Sequence, residues 1–358
     1  MTQLSSEEDL VVKFWGTRGS LPAPLDSRQV LEKQLALIER IIADGGTDKL
    51  FRDGKGVQEY LAGLSLSYSG TYGGETTCIE VQARDSPLIV IDSGSGIRRL
   101  GNTLISRLFS GQHLNPLCSD EATARELHLF LTHYHWDHIQ GFPFFKPAFV
   151  NMSDKRLDIT FYGKRDARKT LSGVLHGQQE YPNFPIIWDD VPCTKAYREL
   201  GRMNPEDIQL GRTVVKFQEL THPDSVLAYR VDVNGKAIVC ATDTEHKDSP
   251  DPRLVRLAKG ADLLYYDGQF TPEEYRGDVG INRLDWGHST FEWAIRNALA
   301  ADVSTVVIGH HSPDKNDFDL DKVYERALDF KDQQLKLVKN DGKSLNVLMA
   351  YDGLEQRF

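Results

Sequence analysis

A chain of 358 residues with 40% hydrophobic and 26% charged content has ample material for a buried core, in one large domain or two ordinary ones. A net charge of −10 and a pI near 5.6 exclude broad electrostatic capture of nucleic acid and leave only a local basic groove for it. Acidic residues 7–9 stand where a signal peptide would be apolar. No apolar run reaches membrane-spanning length, and Cys78, Cys118, Cys193 and Cys240 form no Cys-x-x-Cys pair. The expectation is a cytoplasmic protein without a membrane partner.

Residues 11–15 read as an opening strand, closed by Gly16-Thr17-Arg18-Gly19-Ser20 and then by Pro22 and Pro24. This Gly-rich stretch is predicted to be a turn, with Arg18 a candidate anion contact. Val30, Leu31, Leu35, Ile38, Ile41 and Ile42 recur at helical spacing, predicting an amphipathic helix over 27–43 that ends near Asp44-Gly45-Gly46. With a second short helix over 57–64 it forms a helical insertion, residues 26–65. Its apolar face is expected to pack on the body rather than serve as a lid or subunit contact.

Strands follow at 77–83 and 87–91, the second running into Asp92-Ser93-Gly94-Ser95-Gly96 and a helix carrying Ile97, Leu100, Leu104 and Leu108. Residues 110–126 are a polar connection, and 127–131 an apolar strand. Gly141-Phe142-Pro143-Phe144-Phe145 reads as an aromatic wall beside a site, 157–162 as a strand and 166–175 as a helix. Residues 181–186 read as an ordered loop, beside a substrate or with its aromatics packed into the core. Strands at 213–220, 225–233 and 236–241 follow closely, the last two joined by the Asn234-Gly235 turn. Helices over 253–259, 289–300 and 316–337 and strands over 261–266, 304–308 and 344–349 complete an alternating pattern. No repeat, low-complexity segment or linker divides the chain. Residues 1–358 therefore read as one domain, an α/β four-layer αββα sandwich of two β-rich halves with helices outside.

Chemistry concentrates after the strand at 127–131, in Thr132-His133-Tyr134-His135-Trp136-Asp137-His138. Three imidazoles and a carboxylate fall within six residues, and these are the nitrogen and oxygen ligands of zinc and its first-row neighbours. A polar loop with incidental histidines is the bland alternative, but histidine makes up only 11 of 358 residues. One tetrahedral ion cannot easily use all four groups from so short a turn. The simplest arrangement is two adjacent ions, one on His133 and His135, the other on Asp137 and His138. Three more candidates sit where strands end: His222 after residues 213–220, Asp243 after 236–241, and His310 after 304–308. Loops converge at such edges.

His-x-His-x-Asp-His after an apolar strand resembles the signature of the metallo-β-lactamase-fold hydrolases. The resemblance implies that the αββα sandwich is of that type and that two divalent metal ions are bound, zinc first, with manganese or iron as alternatives. It implies that His133, His135 and His222 bind one ion, that Asp137, His138 and His310 bind the other, and that Asp243 bridges them. It also implies that Asp92 supports the metal loop through hydrogen bonds. His310 is preferred to His311 because it comes first after the strand. A bridging aspartate where some zinc β-lactamases have cysteine argues against antibiotic hydrolysis.

Trp286-Gly287-His288-Ser289-Thr290 could be no more than a helix cap, since Ser289 or Thr290 suits that role. The stretch is also similar to the phosphodiesterase branch of the family, which includes ribonuclease Z and the phosphoribosyl cyclic phosphodiesterases, as are Tyr266-Asp267-Gly268-Gln269-Phe270 and Glu273-Glu274-Tyr275. That resemblance implies His288 as a catalytic residue contacting the scissile phosphate, with Asp137 and Asp243 sharing in catalysis. The long basic or Gly-Pro-rich arm of transfer-RNA-processing members has no counterpart here. The expected substrate is thus a cyclic nucleotide or other small phosphodiester rather than a large RNA. A homodimer is compatible with the resemblance and the insertion. The competing readings are hydrolysis of a lactone or thioester by the same centre, and a metal-sensing or nucleotide-binding module without catalysis.

Overall fold

A computed structural model describes residues 8–47, 56–201, 206–337 and 344–358. Part of the insertion predicted over 26–65 (48–55) and most of the acidic N-terminus (1–7) lie outside the described residues. β1 (Leu10–Gly16), β2 (Cys78–Ala83), β3 (Leu88–Ile91), β4 (Glu126–Phe130), β5 (Asp158–Lys164) and β6 (Thr194–Leu200) lie side by side in that order in the first sheet. The second runs from β7 (Ile208–Leu210) through β8 (Thr213–Leu220), β9 (Val226–Val233), β10 (Lys236–Ala241), β11 (Leu263–Asp267) and β12 (Thr305–Gly309) to β13 (Asn346–Met349). β14 (Glu355–Arg357) returns to the first sheet and pairs with β1.

The central strands read as unbroken apolar runs because both of their faces are covered. Phe14, Ile79, Ile91 and Phe130 of the first sheet meet Val231, Ile238, Leu263 and Val307 of the second in the inner core. Outside the first sheet lie α4 (Ile97–Phe109) and α6 (Leu171–Gln178). Leu100, Leu104 and Leu108, at helical spacing on α4, pack toward Val90, Leu129 and Phe161. Outside the second lie α7 (Pro252–Ala258), α8 (Phe291–Ala301) and α9 (Asp317–Leu337), which cover Val239, Leu264 and Val306. The result is the αββα sandwich of the metallo-β-lactamase type, with a helical insertion between β1 and β2.

In that insertion α1 (Ser27–Ala43) precedes α2 (Val57–Ala62) and α3 (Leu66–Ser69). The expected packing of the α1 apolar face does not occur. None of its residues is fully buried, and Leu31, Leu35, Ile38 and Ile42 are 52–67% exposed. A polar anchor holds the helix instead: the Lys33 ammonium reaches the buried Asp317 carboxylate and the Leu66 carbonyl. Periodicity shows that a helix is one-sided, not which side meets the body.

Two other expectations fail on the same ground. Phe142 and Phe145 are fully buried in the core outside the first sheet and form no wall beside a site, while Phe144 stays exposed. Tyr181 is 82% exposed, and the half-buried Phe184 lies against the exposed Phe144 with ring centroids 5.7 Å apart, so neither aromatic of the 181–186 loop joins the buried core. The helix expected over 166–175 begins later, at Leu171, because Thr170 caps it. β6, β7 and β14 went unread. They are edge or near-edge strands, and the exposed, polar β6 and β14 lack the apolar alternation that marks a strand.

Candidate metal centre

β3 and β4 run parallel, as do β10, β11 and β12, so their carboxyl ends open on one edge of the sandwich. Thr132–His138 follows β4 and runs into the one-turn α5 (Trp136–Ile139). His222 follows β8, Asp243 follows β10 and His310 follows β12. Asp92, Asp243 and His310 each leave their strand in the left-handed region, at φ 60, 52 and 56°. That conformation costs a non-glycine residue about 1 kcal/mol or more, and such strain collects at functional sites.

Among the described residues three groups of ligand atoms result, the third of which, Asp243, Asp267, His288 and His310, shares two residues with the second. His133, His135 and His222 form the first, with ring centroids 4.5–4.8 Å apart. Asp137, His138, Asp243 and His310 form the second. In the second group His138 Nε2 lies 3.2 Å from both Asp137 Oδ2 and Asp243 Oδ1, and His310 Nε2 lies 3.2 and 3.1 Å from the same oxygens. The two Nε2 atoms are 3.3 Å apart. A tetrahedron with metal–ligand bonds of 2.0–2.1 Å has edges of about 3.3 Å.

The outward nitrogens show which atoms face inward. His138 Nδ1 donates to Asp92 Oδ2 at 2.7 Å, and His310 Nδ1 donates to Gln269 Oε1 at 3.1 Å. Asp92 also accepts the Thr132 amide and hydroxyl. Both Nε2 lone pairs therefore face two carboxylates and each other, four acceptors with no donor between them. Burial disfavours charge here, yet Asp243, Asp137 and Asp92 together push His138 well above the ordinary imidazole value. The cluster demands positive charge, a proton or an ion. In the first group His133 Nε2 and both ring nitrogens of His222 are buried without a hydrogen-bond partner, His133 Nε2 lying 3.7 Å from Asp243 Oδ2. Such orphaned atoms are costly unless something binds them. The residues present fit divalent metal.

His288 stands beside this cluster. Its Nδ1 donates to Asp267 Oδ2 at 2.9 Å and lies 3.9 Å from Asp243 Oδ2. Burial opposes its charge, but Asp267, then Asp243 and Asp137, push the imidazolium up to about 9. Glu245 fixes the loop that presents it, accepting the Asp285 amide at 2.7 Å, the Gly287 amide at 3.0 Å and the Tyr275 hydroxyl at 2.6 Å. Gly287, at φ 89°, is packed so tightly on the His222 ring that a Cβ would collide with it.

The structure brings the seven predicted metal ligands and His288 to this edge, and His310 rather than His311 to the cluster; His311 Nε2 donates instead to the Ala350 carbonyl at 2.8 Å. Arg18 is a correction. It is buried, and its guanidinium is spent on the carbonyls of Gly73, Ser312 and Lys315, so it meets no anion in the cleft. The sequence reading assigned no role to Asp267, Gln269 or Glu245. Asp267 carried the signal that marked the others, a carboxylate ending the apolar run Leu263-Leu264-Tyr265-Tyr266. The Ser20 amide, which donates to Asp137 Oδ2 at 2.7 Å, could be found only in three dimensions.

Fold and site together define a metallo-hydrolase sandwich. The Beta-lactamase superfamily domain matches residues 89–311, more than half of the chain, and the chain belongs to that family. Ribonuclease Z of Myxococcus xanthus (strain DK1622) is 26% identical over 318 residues, covering 74% of this chain and 92% of the relative. The metallo-beta-lactamase fold protein YhfI from Bacillus subtilis superposes with a TM-score of 0.55 at 15% identity, over 98% of this chain and 100% of that one. A diphosphatase from the PhnP family superposes with the same score at 15% identity, over 98% of both chains. Among the described residues no helix is long and apolar enough to cross a membrane.

Proposed function

We propose that the protein is a metal-dependent hydrolase of phosphodiesters, working with two divalent ions on a cyclic nucleotide or another small diester, with residues 1–358 as one catalytic unit. The observation that carries this reading is the convergence of the ligand groups on one cleft beside His288, a histidine whose Nδ1 is held by Asp267. His133, His135 and His222 would hold one ion, Asp137, His138 and His310 the other, with Asp243 between them; zinc comes first, then manganese or iron. Such ions, when bound, lower the pKa of a shared water and neutralise phosphate oxygens. Asp92 and Gln269 hold His138 and His310 with their Nε2 lone pairs inward, so no ligand has to reorient during turnover. Asp267 occupies His288 Nδ1 and leaves Nε2 to give a proton to the departing oxygen. Likeness to ribonuclease Z supports phosphodiester chemistry at such a site.

The test is hydrolysis of bis-p-nitrophenyl phosphate by protein reconstituted with zinc, manganese or iron, with Asp243→Ala alongside. Turnover that disappears in the variant is expected. Absence of turnover with all three metals would transfer the reading to a carbonyl substrate, and lactones and thioesters would be assayed next.

A further inference from the structure

The residues that follow Asp243 grip the loop that carries His288. Thr244, Glu245 and His246 come directly after that aspartate. The Glu245 amide donates to the Thr221 carbonyl at 2.8 Å, next to His222 in the chain, and its carboxylate accepts the amides of Asp285 and Gly287, just before His288. His246 holds the residue just after it: His246 Nδ1 is hydrogen-bonded to the Ser289 hydroxyl at 2.8 Å. Ser289 and Thr290 are the residue types that cap a helix, yet Thr290 makes no side-chain cap bond at the head of α8. The buried Ser289 hydroxyl is turned instead to His246 and to the Tyr266 hydroxyl, 3.3 Å away.

His246 is itself held. Its ring packs on Tyr275 and Trp293, with centroids 4.3 and 4.9 Å away, and the Tyr275 hydroxyl donates to Glu245. Burial pushes the His246 imidazole down to about 4, so it is a neutral hydrogen-bond partner near neutral pH. What it steadies is the seat of His288. The Ser289 amide donates to Asp267 Oδ1 at 3.0 Å, while His288 Nδ1 donates to Asp267 Oδ2 at 2.9 Å. One carboxylate thus receives the ring and the next amide together, so a shift of Ser289 changes how the ring meets Asp267.

Resting on the phosphodiesterase reading, we propose that His246 is a positioning residue for that reaction: through Ser289 it fixes His288 against Asp267, so that residues 243–246 set both the bridging ligand and the proton donor. A reacting group misplaced by about 1 Å can lose about 10²-fold in rate.

Three substitutions separate the hydrogen bond from the packing. His246→Phe keeps a ring on Tyr275 and Trp293 and loses the bond. His246→Asn loses the ring and keeps a polar atom where Nδ1 stood. Ser289→Ala removes the same bond from the loop side, and reads it even where His246→Phe does not fold. In hydrolysis of bis-p-nitrophenyl phosphate by the metal-reconstituted full chain, His246→Phe and Ser289→Ala should each lower kcat by about 10–100-fold, with KM within about twofold and bound metal unchanged. The double variant should be no slower than the slower single one, because both changes remove one interaction. His246→Asn should recover most of the lost kcat. Wild-type kcat in His246→Phe or Ser289→Ala, losses that multiply in the double variant, or a His246→Asn as slow as His246→Phe would overturn the proposal. A protein that turns over no diester fails the phosphodiesterase reading instead, and proton NMR then decides the positioning role. The His288 Nδ1 proton, assigned by its disappearance in His288→Gln, should move in His246→Phe and Ser289→Ala and keep its wild-type shift in His246→Asn. A signal unmoved in the first two would sink the assignment.

Discussion

Asp267 holds one ring nitrogen of His288, and against the opposing effect of burial it and the nearby carboxylates Asp243 and Asp137 push the imidazole pKa up. Substituting His288 with Ala should leave bound metal unchanged by atomic absorption and lower kcat by about 10²–10⁴-fold, the usual contribution of a positioned acid. A variant as active as wild type would remove His288 from the mechanism. The sign of the pH dependence follows from its raised pKa: the proton is present below about 9 and lost as pH rises through that value. Activity should therefore fall on the alkaline side. Bound ions that neutralise Asp243 and Asp137 move that limb below 9. Asp267→Asn removes the largest favourable contribution and should move it lower still, which a pH–kcat profile would read.

Single elements decide whether the ligands meet. Gly19, on the loop after β1, lies against the His310 imidazole, and a Cβ there would overlap the ring. Gly19→Ala should displace His310 and weaken metal retention by about 10–100-fold in a competitive chelator titration, on the scale of other outer contacts to metal ligands. The anchoring of α1 makes a contrasting case. Lys33→Ala leaves the buried Asp317 without its cation and should cost about 3 kcal/mol in urea unfolding. Leu35→Ser, on the exposed stripe of the same helix, should stay within about 0.5 kcal/mol. Equal effects of the two substitutions would mean that the apolar stripe, not the ion pair, holds the helix.

At the scale of the whole molecule, the proposed ligands come from both sheets. His133, His135, Asp137 and His138 follow the first, whereas His222, Asp243 and His310 follow the second. Bound ions would cross-link the two layers and relieve four inward-facing acceptors of mutual repulsion. Chelation should thus lower the Tm and broaden the transition, and titrating metal back should restore it, as linkage requires of a ligand that binds only the folded state. A Tm indifferent to chelator would mean that the cluster is satisfied by protons.

The sequence by itself determined the sandwich and the ligand types, because both are written locally. Buried central strands read as apolar runs, and His-x-His-x-Asp-His packs four ligand groups into six residues whatever surrounds them. His222, Asp243 and His310 were legible at one remove, as polar residues that each end an apolar run. Only the tertiary structure decided what faces what. Asp267 lies in sequence twenty-one residues from the imidazole it holds. Arg18, which looked like an anion contact, is consumed by three carbonyls. The α1 stripe faces solvent, while Phe142 and Phe145 vanish into the core. Periodicity and residue type specify which surfaces are apolar and which atoms can bind. Which partner each one meets depends on contacts between residues far apart in the chain, and those exist only once the two sheets have closed on each other.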